Sequence, residues 1–410
     1  MISTHSVWAK PATSARKPLA GRKTLTYLAA LVALVALTVL PVTSTAAAGP
    51  APLLGYGQVG TRQAVPWSEV GAGWILAQWQ AVPPKQAGTA QAGAVPSSAT
   101  PMLYLIDPAG GRYDIGPVDV AGSLSDWSGD GEHALLVDSQ PGKPYVVTDL
   151  DLATGLKVGQ FQLSASLADV FAGFTRPAGT AILLEKEYVG LQAEQLERVS
   201  PTGSAQLTYP SNFAGAGSLV GGFLETPNGL QLVLGAQRGL VLVDNDGQAA
   251  TQLSVPGAPG CQPTSWWAPG IVLANCLGDW LVPISGARPT LLAKQGSGPA
   301  WKIGATTYIT ECACGSCWIA KLEPNGTAEQ VNIPRVNNYL SVYGIGAYGG
   351  RLALMASLGC DGGKPGPGGR GPSLMWYDPV DNTVSVVLGP PVNGGMVDSA
   401  YLYGADQVGL

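Results

Sequence analysis

Of the 410 residues 12% are charged, about half the roughly 25% usual in soluble domains, while 46% are apolar and glycine and proline number 56 and 33. So apolar a chain has ample material for a core, which excludes a disordered protein. The formal charge is −5, and without the first 48 residues it is −10 (17 basic against 27 acidic). An acidic chain without Lys/Arg clusters excludes nucleic acid and anionic lipid surfaces as expected partners.

Residues 1–24 carry Lys10, Arg16, Lys17, Arg22 and Lys23 with no acidic residue, and Leu25 to Leu40 is apolar apart from Thr26, Thr38 and Tyr27. That is the layout of an export signal, and Ala46-Ala47-Ala48 supplies the small residues a signal peptidase reads. The apolar core falls short of the ~20 residues that span a bilayer comfortably. We therefore expect 1–48 to be a signal peptide or N-terminal anchor, 49–57 a linker, and 58–410 the folded domain, secreted or otherwise outside the cytoplasm. Contact with a membrane is expected only through residues 1–48, if uncleaved.

The remainder repeats one unit, clearest at 124–155. Leu124 to Trp127 meets a turn at Ser128 to Gly131, an apolar strand runs from Ala134 to Val137, and a further strand from Tyr145 to Thr148 ends in a reversal at Asp149 to Gly155. The second reversal recurs at Asp107–Gly111, Ser200–Gly203, Asp244–Gly247, Pro283–Gly286, Glu323–Gly326 and Asp378–Asn382, with steps of 44, 48, 44, 39, 40 and 56 residues. An aromatic precedes each first reversal: Trp67 before Gly73, Trp127 before Gly131, Phe174 before Gly179, Phe223 before Gly229, Trp267 before Gly270, Trp301 before Gly304 and Tyr343 before Gly350. Repeats of about 40 to 50 residues, each worth four strands, predict a β-propeller. Only Val189 to Arg198 holds a helical period.

One unit also carries a family resemblance. Trp127-Ser-Gly-Asp-Gly131 before an apolar strand resembles the W-S-P-D-G hallmark of TolB-like and WD40-like propeller repeats, with Gly129 in place of proline. The resemblance implies an all-β propeller, a fold that in that family serves mostly as a binding platform though enzymes also carry it. Seven units depart from the six blades usual for TolB-like domains.

The expected fold is thus all-β, a single propeller of seven four-stranded blades, with six or eight as alternatives. Blade limits fall at 58–118, 119–164, 165–209, 210–254, 255–296, 297–334 and 335–390, and Met396 to Gly404 is expected to close the ring on blade one. The connections between second and third strands share one face with the links between blades. Two long loops fall there, Gln80 to Pro101 and Asp361 to Pro372, and so do all six cysteines.

An even cysteine count in an exported chain predicts disulfides. Cys261 and Cys276 end adjacent antiparallel strands and should pair. Cys312 or Cys314 is expected to reach Cys360, leaving Cys317 for the other. The alternative is a zinc site of Cys312, Cys314, Cys317 and Cys360.

Catalytic signals are sparse. His133 is the single histidine after His5 and reads as a solvated turn residue. Asp244-Asn-Asp-Gly247 begins like a calcium loop without its later ligands, and no cofactor or metal is expected. Glu185 and Glu187, two apart on a strand, point the same way, and with Tyr188 they form a weak candidate ligand face near the cysteines. The aromatics before the first reversals read mainly as wedges between blades. The expected function is a noncatalytic exported scaffold, a monomer, binding protein, peptide or glycan. The alternative is a carboxylate-dependent lyase or glycoside hydrolase.

Overall fold

Glycine punctuates this chain where the backbone must reverse. In the computed structural model, Gly131 and Gly155 take φ of 78° and 72°, a region that costs a side-chain-bearing residue but not glycine. The structure describes residues 53–81, 100–118, 122–140, 142–188, 194–258, 260–294, 298–313, 316–334, 336, 340–358 and 372–404. Every unit has a positive-φ residue at both reversals, the last of them Asn382 at 49°. Antiparallel hairpins result, and among the described residues they build seven sheets.

Blades two, three, five, six and seven are four-stranded and run in sequence order, such as Ser123–Trp127, His133–Asp138, Val146–Asp151 and Lys157–Gln162 in blade two. Blade four adds the two-residue strand Asn212–Phe213 beside its inner strand Gly217–Glu225. Residues 194–199, where a helical period was readable, form the strand Glu194–Val199. Among the described residues the helical pieces are two 3-10 turns, Arg62–Ala64 and Trp67–Glu69, and no helix is long and apolar enough to cross a membrane.

Both faces of every sheet are covered, which explains why its strands read as apolar runs. Leu76 packs with Leu124, Trp127 and Leu136 of blade two, whereas Ile75 and Ala77 pack with Leu374 and Trp376 of blade seven. Alternate side chains of one strand therefore serve opposite neighbours. Seven buried clusters result, one for each contact between blades. No blade has a dry core of its own, so each depends on both neighbours.

Blade one is assembled from three parts of the chain. Met396–Leu402 is its innermost strand, antiparallel to Ile75–Gln80, which is followed by Met102–Ile106 and Arg112–Pro117. A fifth strand, Val59–Thr61, lies parallel to the outer edge. Trp67, the aromatic read before the first reversal at Gly73, sits in a 3-10 turn and not at the end of an inner strand, and the inner-strand place of blade one belongs to the closing segment.

Gly129 departs from the proline of the family motif for a steric reason. A Cβ there would stand 2.2 Å from the carbonyl oxygen of Pro177 in blade three, and Tyr403 donates its hydroxyl proton to the Gly129 carbonyl. Gly129→Ala should therefore cost about 2 kcal/mol through overpacking, and Gly129→Pro should destabilise too despite matching the motif. Urea midpoints of both variants test this, and a midpoint at or above wild type would refute it.

Two disulfides lie on the face predicted for the cysteines. Cys261 is joined to Cys276 and Cys312 to Cys317. The first pair is buried, at 1% and 2% exposure, and Cys312 is exposed. Cys314 and Cys360, most of the two long loops and residues 1–52 lie outside the described residues.

Candidate functional site

The inner strands of all seven blades leave a cavity of about 430 Å³ on the axis. Its lining runs past the ends of the inner strands to Ser128, Gly129, Arg176 and Tyr403. It therefore lies toward the face of the first reversals, opposite the disulfides.

One polar cluster from three blades forms part of its wall. Asp126, next to last in the inner strand of blade two, accepts the Phe174 N–H at 2.7 Å through Oδ2 and the Trp127 N–H at 2.8 Å through Oδ1. Arg176, just beyond the inner strand of blade three, donates to Asp126 Oδ1 at 3.3 Å and to the Trp127 carbonyl at 3.1 Å. Its backbone N–H bonds Glu225 Oε2 at the end of the inner strand of blade four. Glu225 Oε1 accepts Asn245 Nδ2 at 3.0 Å, while Asn245 Oδ1 accepts the Tyr209 hydroxyl at 2.9 Å. Burial pushes the Glu225 carboxyl above its ordinary value, opposed by the Arg176 N–H and by the Arg198 and Arg176 charges. Two acids and an arginine thus pin three blades together at the cavity wall.

The rest of the lining is largely aromatic. Phe171 and Phe223 meet edge to face with ring centres 5.7 Å apart, and Phe171 remains 55% exposed. Trp301, Tyr343, Tyr401 and Tyr403 complete much of the wall. The Tyr343 hydroxyl bonds Met355 Sδ at 3.3 Å, and burial, helped by Asp398, pushes its pKa up to about 12. Of the aromatics expected as wedges, Trp127, Phe174 and Trp301 are buried between blades and Phe223 is only partly buried, and all four reach the cavity wall.

Glu185, Glu187 and Tyr188 are placed elsewhere. Both oxygens of Glu185 accept the Gly222 N–H of blade four at 3.0 Å, which makes it a brace between blades. Glu187 is exposed at the far end of the same strand, and Tyr188 donates to Gln195 at 3.1 Å. None of the three lines the axial cavity. Sequence reading passed over Asp126, Arg176 and Glu225. Their available signal was a charged residue at the aromatic-rich end of a first strand in three successive units, where only apolar residues are otherwise expected.

His133 is not the solvated turn residue expected. Its Nδ1 lies 2.9 Å from Oδ1 of buried Asp149 on the next strand, and its ring meets Phe174 edge-on at 6.2 Å. The hydrogen bond to Asp149 is the main reason its pKa is raised, against the opposing effect of burial. Because the folded pKa exceeds the unfolded value of about 6.5, the pair's stabilisation is complete below that value and is lost as pH rises through the folded pKa. The imidazole signals of His133 should titrate above 6.5, and Asp149→Asn should bring them down. An unshifted titration would contradict the pairing.

No family model matches the chain, and no curated protein matches it in sequence. Solved structures do resemble it in fold. TolB from Acinetobacter baumannii aligns at 12% identity over 62% of this chain and 62% of its own, less than two thirds of its length, with a TM-score of 0.42. The β-propeller domain of the Trilobed protease from Pyrococcus furiosus aligns at 8% identity over 79% and 94%, with a TM-score of 0.49. Oligogalacturonate lyase from Vibrio parahaemolyticus aligns at 12% over 77% and 86%, with a TM-score of 0.44. What these share with the chain is the propeller.

Proposed function

We propose that this protein is a noncatalytic propeller of an exported compartment that binds an apolar or aromatic side chain of a peptide or protein partner in the axial cavity. The observation that carries the reading is Phe171, a ring more than half exposed beside a second ring inside a concave site. Large aromatics kept available in a pocket are the usual anchors of recognition. Saturation of the cavity's acids supports binding over chemistry: Asp126 and Glu225 each accept a hydrogen bond from a backbone N–H group of another blade. The signal-like first 48 residues and the two disulfides support an oxidising, extracytoplasmic location.

Selection from a peptide phage library and a glycan array, each with wild type and Phe171→Ala, tests this. Peptides with aromatic or branched aliphatic residues should be enriched, with affinity at least about tenfold weaker for the variant. Glycan binding alone would refute the peptide reading, and ligands that bind both proteins equally would refute the site.

A further inference from the structure

Blades five and six meet through an apolar seam in which Leu273, Ala293 and Ile309 pack together, with Leu281 against them. Toward the disulfide face this seam turns polar. Asn275 lies two residues beyond Leu273, and Asp279, its direct partner across the strands, lies two before Leu281. The alternation of strand side chains turns both toward blade six. Glu311, two residues beyond Ile309, faces back from blade six by the same rule.

Asp279 is 0% exposed, and neither carboxyl oxygen has a hydrogen-bond partner among the described residues. Buried carboxylates are ordinarily paired, hydrogen-bonded or coordinated to metal. Burial, then the charge of Glu311, raises its pKa to about 7. A second acid at the same seam aggravates the problem rather than relieving it. What would relieve it is positive charge.

We propose that Asp279 and Glu311, with the side-chain oxygen of Asn275, form a binding site for a hard divalent cation of the calcium class, held between blades five and six. The donors are all oxygen and carry two negative charges, which suits calcium and disfavours zinc or copper. Two carboxylates and one amide from the described residues are few ligands, so the affinity belongs to the weak range of extracellular calcium modules, about 0.1–1 mM. The cation ties two blades next to both disulfides, a stabilising role independent of what the axial cavity binds.

Thermal unfolding of the full chain at about pH 8, in about 10 mM calcium chloride or in EDTA, tests the site. Wild type should gain roughly 2–4 °C with calcium. Asp279→Asn, which keeps the shape without the charge, should show no gain, and Glu311→Gln a reduced one. Absence of a calcium effect in wild type, or an equal effect in Asp279→Asn, would overturn the proposal.

Discussion

A chain ending after Gly395 should fail to reach the native fold, appearing as aggregate or as an expanded species without a cooperative thermal transition. Met396–Leu402 is the innermost strand of blade one and pairs along all of Ile75–Gln80. Val397 and Leu402, at 1% and 5% exposure, fill the seam between blades one and seven, while Tyr401 and Tyr403 pack against the seam between blades one and two. Tyr403 also bonds the Trp74 carbonyl through its N–H at 2.8 Å. Two fully buried side chains contribute about 1.5–3 kcal/mol each, before the ladder and tyrosines are added. The loss is therefore comparable to the whole stability of a domain, about 5–15 kcal/mol. It would also leave the Ile75–Gln80 edge open to pairing with another chain. Removal of Val59–Thr61 should do far less, because that strand lies at the outer edge and Val59 is 60% exposed. Size-exclusion profiles and circular dichroism melts of the two truncations decide this. Similar melting of both would show that the C-terminal strand does not close the ring.

The contrast between these strands also shows which parts of the fold were legible. Turn glycines such as Gly131 and Gly155 could be placed because positive φ is a local demand, satisfied within four or five residues. The count of seven followed from the spacing of turns and aromatics, and the closing role of Met396 onward from the cost of leaving a sheet edge open. Trp67 misled because it copies the aromatic that precedes a first reversal, yet the strand it would end comes from the far end of the chain, and no local pattern records that exchange. His133 was misjudged for a related reason. Its partner Asp149 lies 16 residues away and looks like part of a turn, so the pair becomes visible only when the register of two strands is known. The cluster of Asp126, Arg176 and Glu225 is longer in range still, since three blades must be set side by side before the charges meet. Glu185 showed a charged residue on a strand but not the Gly222 N–H that it holds.

Arg176→Met should cost about 3 kcal/mol, the largest effect we expect from a single side chain of the cavity wall. The arginine and Asp126 side chains are 8% and 13% exposed, so the substitution removes the cation while leaving a carboxylate away from water. Breaking such a pair from one side typically costs about 3–5 kcal/mol. The lower end applies because the Phe174 and Trp127 N–H groups still serve Asp126. The Glu225 contact should survive, because it is made by the backbone of residue 176 and not by the guanidinium. Arg176→Lys should fall between the two, since lysine keeps the charge but cannot present a planar fork to both Asp126 and the Trp127 carbonyl. Adding Asp126→Asn to Arg176→Met should recover part of the loss, because the second change removes the charge that has lost its arginine. The double variant would then be more stable than the sum of the single effects predicts, by about 1 kcal/mol or more. Denaturant midpoints for the four proteins of this cycle measure that coupling, and strict additivity would mean that Arg176 stabilises by packing alone.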